Sequence, residues 1–150
     1  MIPANLLLLE RACQEIGVKE VPGSQHAPEI LKYLELAGFD TLFNDDETPW
    51  CSTFMNAMCA VLCLERSGKP NARSWLEVGE RTHDPKPGDV VIFWRGSQNS
   101  WKGHVGVFMS KRNGLVYTLG GNQSNMVNVA PYSEDRVLGY RKLKVIPQQV

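Results

Sequence analysis

A chain of 150 residues with 43% hydrophobic content can build one domain with a substantial core, and is too short for two comfortable ones. Sixteen Lys and Arg balance sixteen Asp and Glu with no basic block, which removes the field that nucleic-acid or anionic-membrane binding normally needs. The apolar run Leu6–Leu9 is far shorter than a signal-peptide core and is followed by Glu10 and Arg11, so the expectation is a protein made in the cytoplasm without a signal peptide, its cysteines at 13, 51, 59 and 63 reduced.

The apolar spacing in "NLLLLERACQEIG" predicts a first helix, with Asn5 as cap and Gly17 as stop. A second helix is expected from Ala27 to Ala37. After the loop "GFDTLFNDDETP", the segment Ser52–Arg66 is apolar on most sides and ends at Ser67-Gly68, predicting a central buried helix. Beyond "SGKPNARSWLEVGERTHDPKPG" the period changes, and "DVVIFW", "HVGVFMS", "GLVYTLGG", "MVNVA" and "RVLGYRKL" read as short strands of an antiparallel sheet. Helices first and strands afterwards predict an α+β domain, with N-terminal helices and a central helix packed on the sheet.

The start of that central helix raises the chemical question. A cysteine inside a helix is usually a small hydrophobe, but Cys51, in "TPWCSTFMNAMC", sits at a first turn among unpaired N–H groups that favour a thiolate. A nucleophilic cysteine needs a base, and a third group to fix the base's tautomer. His26 and His83 lie in polar loops, whereas His104 opens a strand in "WKGHVGVFM" beside a glycine that leaves room for substrate. A lone histidine at a strand edge is more often structural. Here, however, Trp50 precedes the cysteine, Trp94 and Trp101 flank the loop into the histidine, and "GGNQSN" adds amides, a setting suited to a peptide or amide substrate. Each tryptophan alone would serve equally as packing. Cys51, Cys59 and Cys63 with His104 are a rival metal set, but three ligands along one apolar helix would have to bend toward a single ion. No metal or other cofactor is therefore expected, and Cys59 and Cys63 are read as packing.

Together "DDETPWCSTFMNAMC", "ARSWLEVG", "PKPGDVVIFWRG", "GHVGVF" and "LGGNQSNMVNVAPY" resemble the compact phage-associated group of CHAP-type (cysteine, histidine-dependent amidohydrolase/peptidase) cell-wall hydrolases. The resemblance covers nearly the whole chain, as one catalytic domain of residues 1–150. It implies a papain-like fold, Cys51 as nucleophile, His104 as base and Asn122 as orienting residue. It also implies cleavage of bacterial peptidoglycan, within the stem or cross-bridge peptide or at the amide joining peptide to glycan. Many relatives carry an acidic residue near the orienting amide, where this chain has Gly121.

Local geometry bears on the third member. If Arg112, Asn113 and Gly114 form a three-residue loop, His104 lies opposite Asn122 and Gln123 turns away; a two-residue Asn113-Gly114 loop would put His104 opposite Gln123. Glycine at the third loop position favours the first register. The expected mechanism starts from a Cys51 thiolate paired with a His104 imidazolium, the oxyanion held by the Cys51 N–H and a second donor among Ser52, Thr48 and the amides before Pro49. Trp50, Ser52, Trp94, Trp101 and Gln123 are the candidate substrate contacts. A monomer is expected, acting on the wall after holin-type release, by a phage tail or through a secretion apparatus; no delivery partner or immunity protein is specified. The competing classes are a non-catalytic binding domain, in which Trp50, Trp94 and Trp101 grip glycan or peptide, and a papain-like acyl-transfer enzyme acting on another amide.

Overall fold

The computed structural model describes residues 2–20, 28–39 and 50–147. Three helices come first: α1 (Ala4–Cys13), α2 (Pro28–Ala37) and α3 (Cys51–Val61). Six strands follow, β1 (Glu80–Thr82), β2 (Val90–Trp94), β3 (Gly103–Arg112), β4 (Leu115–Gln123), β5 (Met126–Ser133) and β6 (Val137–Lys142), with short 3-10 helices at Ala72–Glu77 and Glu134–Arg136. They form one antiparallel sheet in the order β1-β6-β2-β3-β4-β5. The α+β arrangement expected from the sequence is the one found.

Local details differ. Pro3, without a side-chain cap, starts α1, and Asn5 instead donates from Nδ2 to the Pro87 carbonyl at 2.9 Å, tying the helix to the approach of β2. The central helix stops at Val61 rather than continuing to Arg66. Cys63 takes a left-handed conformation (φ 57°), its N–H bonds to the Ala60 carbonyl, and the Leu64 N–H reaches back to the Cys59 carbonyl at 2.9 Å. This closes the helix as a Schellman turn normally does with glycine, so composition alone hid the stop. The three-residue strand β1 and the 3-10 turns carry no periodic signal, and the sequence did not predict them.

Every residue from Cys51 to Cys59 is buried, because α3 lies between the other helices and the sheet. Phe54, Met55 and Met58 pack with Ile92, Val105, Val107 and Leu119 of β2, β3 and β4. A smaller cluster, Val91, Phe93, Phe108 and Val116 with Tyr132 at its edge, fills the other sheet face. Strand alternation produces this division, since successive side chains point to opposite faces.

The β3–β4 hairpin positions the site. Arg112 pairs with Leu115, so the turn is the two residues Asn113 and Gly114, both with positive φ (54° and 77°), and the expected three-residue loop is corrected. Asparagine tolerates the left-handed region well enough to complete a type I′ turn with glycine. A bulge between Phe108 and Ser110 then shifts the register by one, giving Val107↔Leu119 as the last β3–β4 pair. Beyond it β4 is irregular: its ladder with β5 breaks between Gly120 and Gln123, and Asn122 sits at φ 59°.

Candidate active site

Cys51 is the first residue of α3, preceded by Trp50, whose carbonyl accepts the Phe54 N–H at 2.9 Å and starts the helix. The first-turn amides, Cys51's included, have no acceptor within the helix, and those of Cys51 and Ser52 face the thiol. The thiol is buried, with the residue only 2% exposed, and lies against the backbone of Val105, next to His104. Amide directions alternate along an antiparallel strand. The Phe108 N–H points toward β2, where it bonds the Asp89 carbonyl at 2.7 Å, so the Val105 N–H points toward β4. Beyond Val107 and Leu119 that edge is not laddered to β4, and Cys51 enters there. Burial pushes the thiol up from its ordinary range, outweighing the lowering by backbone groups of Val105, Ser52 and Cys51 and by the Arg95 charge.

His104 pairs across β2 with Phe93. Its ring stacks on Tyr132 (centroids 5.0 Å apart), and Tyr132 stacks in turn on Phe93 at 4.8 Å. The imidazole Nε2 lies 2.9 Å from Gln123 Oε1 and 3.3 Å from Tyr132 Oη. The other end of Gln123 fixes the proton: its Nε2 donates to the Thr118 carbonyl (3.1 Å) and to the carbonyl and Oδ1 of Asn128 (both 2.8 Å), so Oε1 must be the atom facing histidine. Oε1 only accepts. His104 Nε2 therefore carries hydrogen, and Nδ1 is left as the basic nitrogen. Burial drives His104 down to about 4, against the raising effect of the Gln123 bond and with further lowering from Arg95 and Arg136.

Two expectations are corrected by this geometry. The side chain bonded to His104 is Gln123's, not Asn122's, because the break after Gly120 and the left-handed Asn122 reset the alternation and bring the next residue round to the imidazole. Gln123 is also buried and fully engaged, which removes it from the substrate contacts. Burial, moreover, pushes the thiol up and the imidazole down, which works against the ion pair expected from the sequence. Desolvation penalises both charges more than their surroundings favour them.

The remaining candidates separate by burial. Trp50 is buried, stacks on Tyr33 at 6.2 Å and donates its indole N–H to Glu20 at 3.3 Å, so it packs rather than lines a cleft. Ser52 is also structural: its hydroxyl donates to the Lys69 carbonyl at 2.7 Å and accepts from the Trp75 indole at 2.9 Å. Trp94 is half-buried under the Arg136 guanidinium, 5.4 Å from its ring centroid. Trp101 is 75% exposed. The loop carrying it is pinned by Arg73, which donates to the carbonyls of Lys102, Gln98 and Ser97 at 2.8, 2.9 and 3.0 Å. Thr48, Pro49 and His26 lie outside the described residues, and His83 is exposed. Cys59 is wholly buried, and among the described residues no group of three or more His, Cys, Asp or Glu could hold a metal ion.

Comparison with known families brings a match to the CHAP domain over residues 43–122, more than half of the sequence. The chain belongs to the CHAP domain family. The match spans Cys51 and His104 and ends one residue short of Gln123. No curated protein sequence matches this CHAP domain. Among solved structures it is similar to NlpC1 from Trichomonas vaginalis, with a TM-score of 0.57 and 17% identity over 95% of this chain and 45% of that one. NlpC2 from the same organism has the same TM-score and identity, with 47% of its chain covered. The resuscitation promoting factor interacting protein RipA gives a TM-score of 0.54 at 18% identity, over 94% of this chain and 62% of that one. At such identities the likeness is one of fold, and the fold is papain-like. This CHAP domain spans about half the length of the two Trichomonas proteins.

Sequence reasoning passed over Tyr132 and Arg73. "APYSEDR" gave no local sign that its tyrosine stacks on the histidine, since that contact depends on β5 lying beside β4. Arg73 bonds only carbonyls, which no pattern of residue types announces.

Proposed function

We propose that this CHAP domain is a cysteine-dependent hydrolase of peptidoglycan, cutting an amide within the stem or cross-bridge peptide or between peptide and glycan. One observation carries the reading: a helix-start thiol lies against the backbone of Val105, the residue that follows a histidine whose tautomer is fixed by Gln123, leaving its other nitrogen basic. Family membership and the likeness to NlpC and RipA folds support the substrate class.

In the proposed mechanism His104 Nδ1 takes the Cys51 proton as sulfur bonds to the substrate carbonyl carbon, and the C=O π pair moves onto oxygen. First-turn amides of α3, the Cys51 N–H among them, receive that oxyanion. Its collapse expels the amine, which takes the proton from His104. Water then attacks the thioester, His104 accepts its proton, and the thiol is restored. Gln123 holds the imidazole upright through both steps and stabilises the transient imidazolium by accepting from Nε2. Access to the wall would come through lytic release, a phage tail or a secretion apparatus.

Digestion of purified peptidoglycan with mass-spectrometric identification of fragments tests the reading. New free amino groups without new reducing ends are expected. Intact sacculi would leave a binding domain or an acyl-transfer enzyme with another substrate.

A further inference from the structure

The chain has no net charge, yet the His104 end of the sheet is cationic. Arg95 extends the β2–β3 ladder by one residue beyond Trp94↔Gly103, its N–H bonding the Lys102 carbonyl at 3.3 Å. Two residues from Phe93, the cross-strand partner of His104, Arg95 emerges on the imidazole's face of the sheet. Its side chain is exposed. Arg136, just before β6, reaches the neighbouring Trp94 from the other side of β2. Its Nε and Nη2 donate to the Trp94 carbonyl at 3.1 and 3.0 Å, and its guanidinium lies over the Trp94 ring.

Among the described residues neither guanidinium has a carboxylate partner; the acidic groups in ion pairs there are Glu15, Asp84, Asp89 and Glu134, matched to other cations. Both charges reach His104, and both disfavour its protonation. Two cations without a carboxylate partner among the described residues oppose the imidazolium that the mechanism must form, and an anion arriving with the substrate would offset them.

We propose that Arg95, with the charge of Arg136 behind it, forms a carboxylate-binding subsite beside His104, which selects substrates carrying a free carboxylate close to the bond attacked. This rests on the hydrolase reading and narrows it to an acidic peptide. The substrate's carboxylate restores charge balance as the imidazolium forms, so the subsite contributes to turnover as well as to binding.

Two alkylating reagents test the subsite without any peptidoglycan. In both, sulfur displaces iodide from a methylene carbon and the thiol gives up its proton; iodoacetate carries a carboxylate beside that carbon, iodoacetamide a neutral amide. Exposed Cys13 in the same chain is the internal reference. At Cys51 the iodoacetate-to-iodoacetamide rate ratio should exceed that at Cys13 by about tenfold, should fall in high salt, and should collapse to the Cys13 value in Arg95→Gln. Equal ratios in the wild type, a ratio unmoved by Arg95→Gln, or no reaction of Cys51 with either reagent would overturn the subsite. A parallel arm compares sacculi before and after carbodiimide amidation of their carboxylates. Amidation should slow the wild type about tenfold and leave Arg95→Gln unchanged. If wild type leaves both kinds of sacculi intact while the alkylation preference holds, the peptidoglycan reading fails and the subsite stands. Digestion of both at equal rates overturns the subsite and keeps the hydrolase.

Discussion

Gln123 and His104 meet at 2.9 Å, and the direction of that bond is set from the far end of the glutamine, where Thr118 and Asn128 take both amide protons. The tautomer of the base is thus determined two contacts away from it. Gln123→Ala should lower kcat by about 10- to 100-fold with KM little changed, the range for removing a histidine's outer partner. Asn122→Ala should do less. Steady-state kinetics on soluble wall fragments measure both, and the reverse order would return the orienting role to Asn122.

Cys51→Ala should abolish hydrolysis and leave the thermal midpoint nearly unchanged, since a small side chain is lost at a helix start. Cys59→Ala should do the opposite, costing about 1 kcal/mol in urea denaturation, the scale of one methyl-sized deletion in a closed core, with activity per folded molecule preserved. Lysis retained in Cys51→Ala would end the nucleophile assignment.

A thiol pushed up and an imidazole pushed down by burial make a different pH profile from an ion pair. Activity should rise with the loss of the His104 proton near pH 4, hold through neutrality, and fall only above the ordinary thiol range, where Cys51 ionises without an imidazolium beside it. At pH 7 iodoacetamide should label exposed Cys13 before buried Cys51. Labelling in the opposite order would establish a thiolate–imidazolium pair after all.

Stability should follow the same histidine. Its folded value of about 4 lies below the unfolded 6.5, so the unfolded chain takes the proton first. The contribution is fully present above pH 6.5 and is lost as pH falls toward 4. That loss is worth about 3 kcal/mol and should appear as a falling urea midpoint across this window. Replacing His104 with Gln should flatten the window.

Tyr132 and the tryptophans can be sorted by separate readouts. Because Nε2 carries the hydrogen, Tyr132 Oη acts as its second acceptor. Tyr132→Phe should reduce kcat about fivefold, the worth of one hydrogen bond, while keeping the stacked ring. Tyr132→Leu, which removes the ring, should cost more. Trp101→Ala should weaken binding to sacculi with no change in melting, whereas Trp50→Ala should lose about 3 kcal/mol or more of stability. Equal melting losses in both would return Trp101 to packing.

The α+β class, the helix-start position of Cys51 and the strand carrying His104 were legible because they rest on periodicity and turn chemistry within a few residues. The third partner was not, although the candidates were only two neighbours. Its identity depends on a bulge between Phe108 and Ser110 and a second break before Gln123, two one-residue shifts that no local residue pattern marks. Local preference even pointed the wrong way at Asn113-Gly114, where both two- and three-residue loops accept glycine. Trp50 and Ser52 sat beside the nucleophile in sequence and were read as facing substrate. A helix first turn points its side chains in several directions, and theirs point into the core.

Gly121 touches this geometry from behind. A Cβ there would come within 2.7 Å of Trp50 Cζ3 and 2.8 Å of Phe54 Cβ, so β4 reaches the first turn of α3 only because position 121 has no side chain. An acidic group at that position could not occupy the space while Trp50 stays where it is. Any side chain grafted onto 121 acts as a wedge. It drives against the residue immediately before Cys51, so even a single methyl group on the helix-facing side of β4 would have to be absorbed at the start of α3.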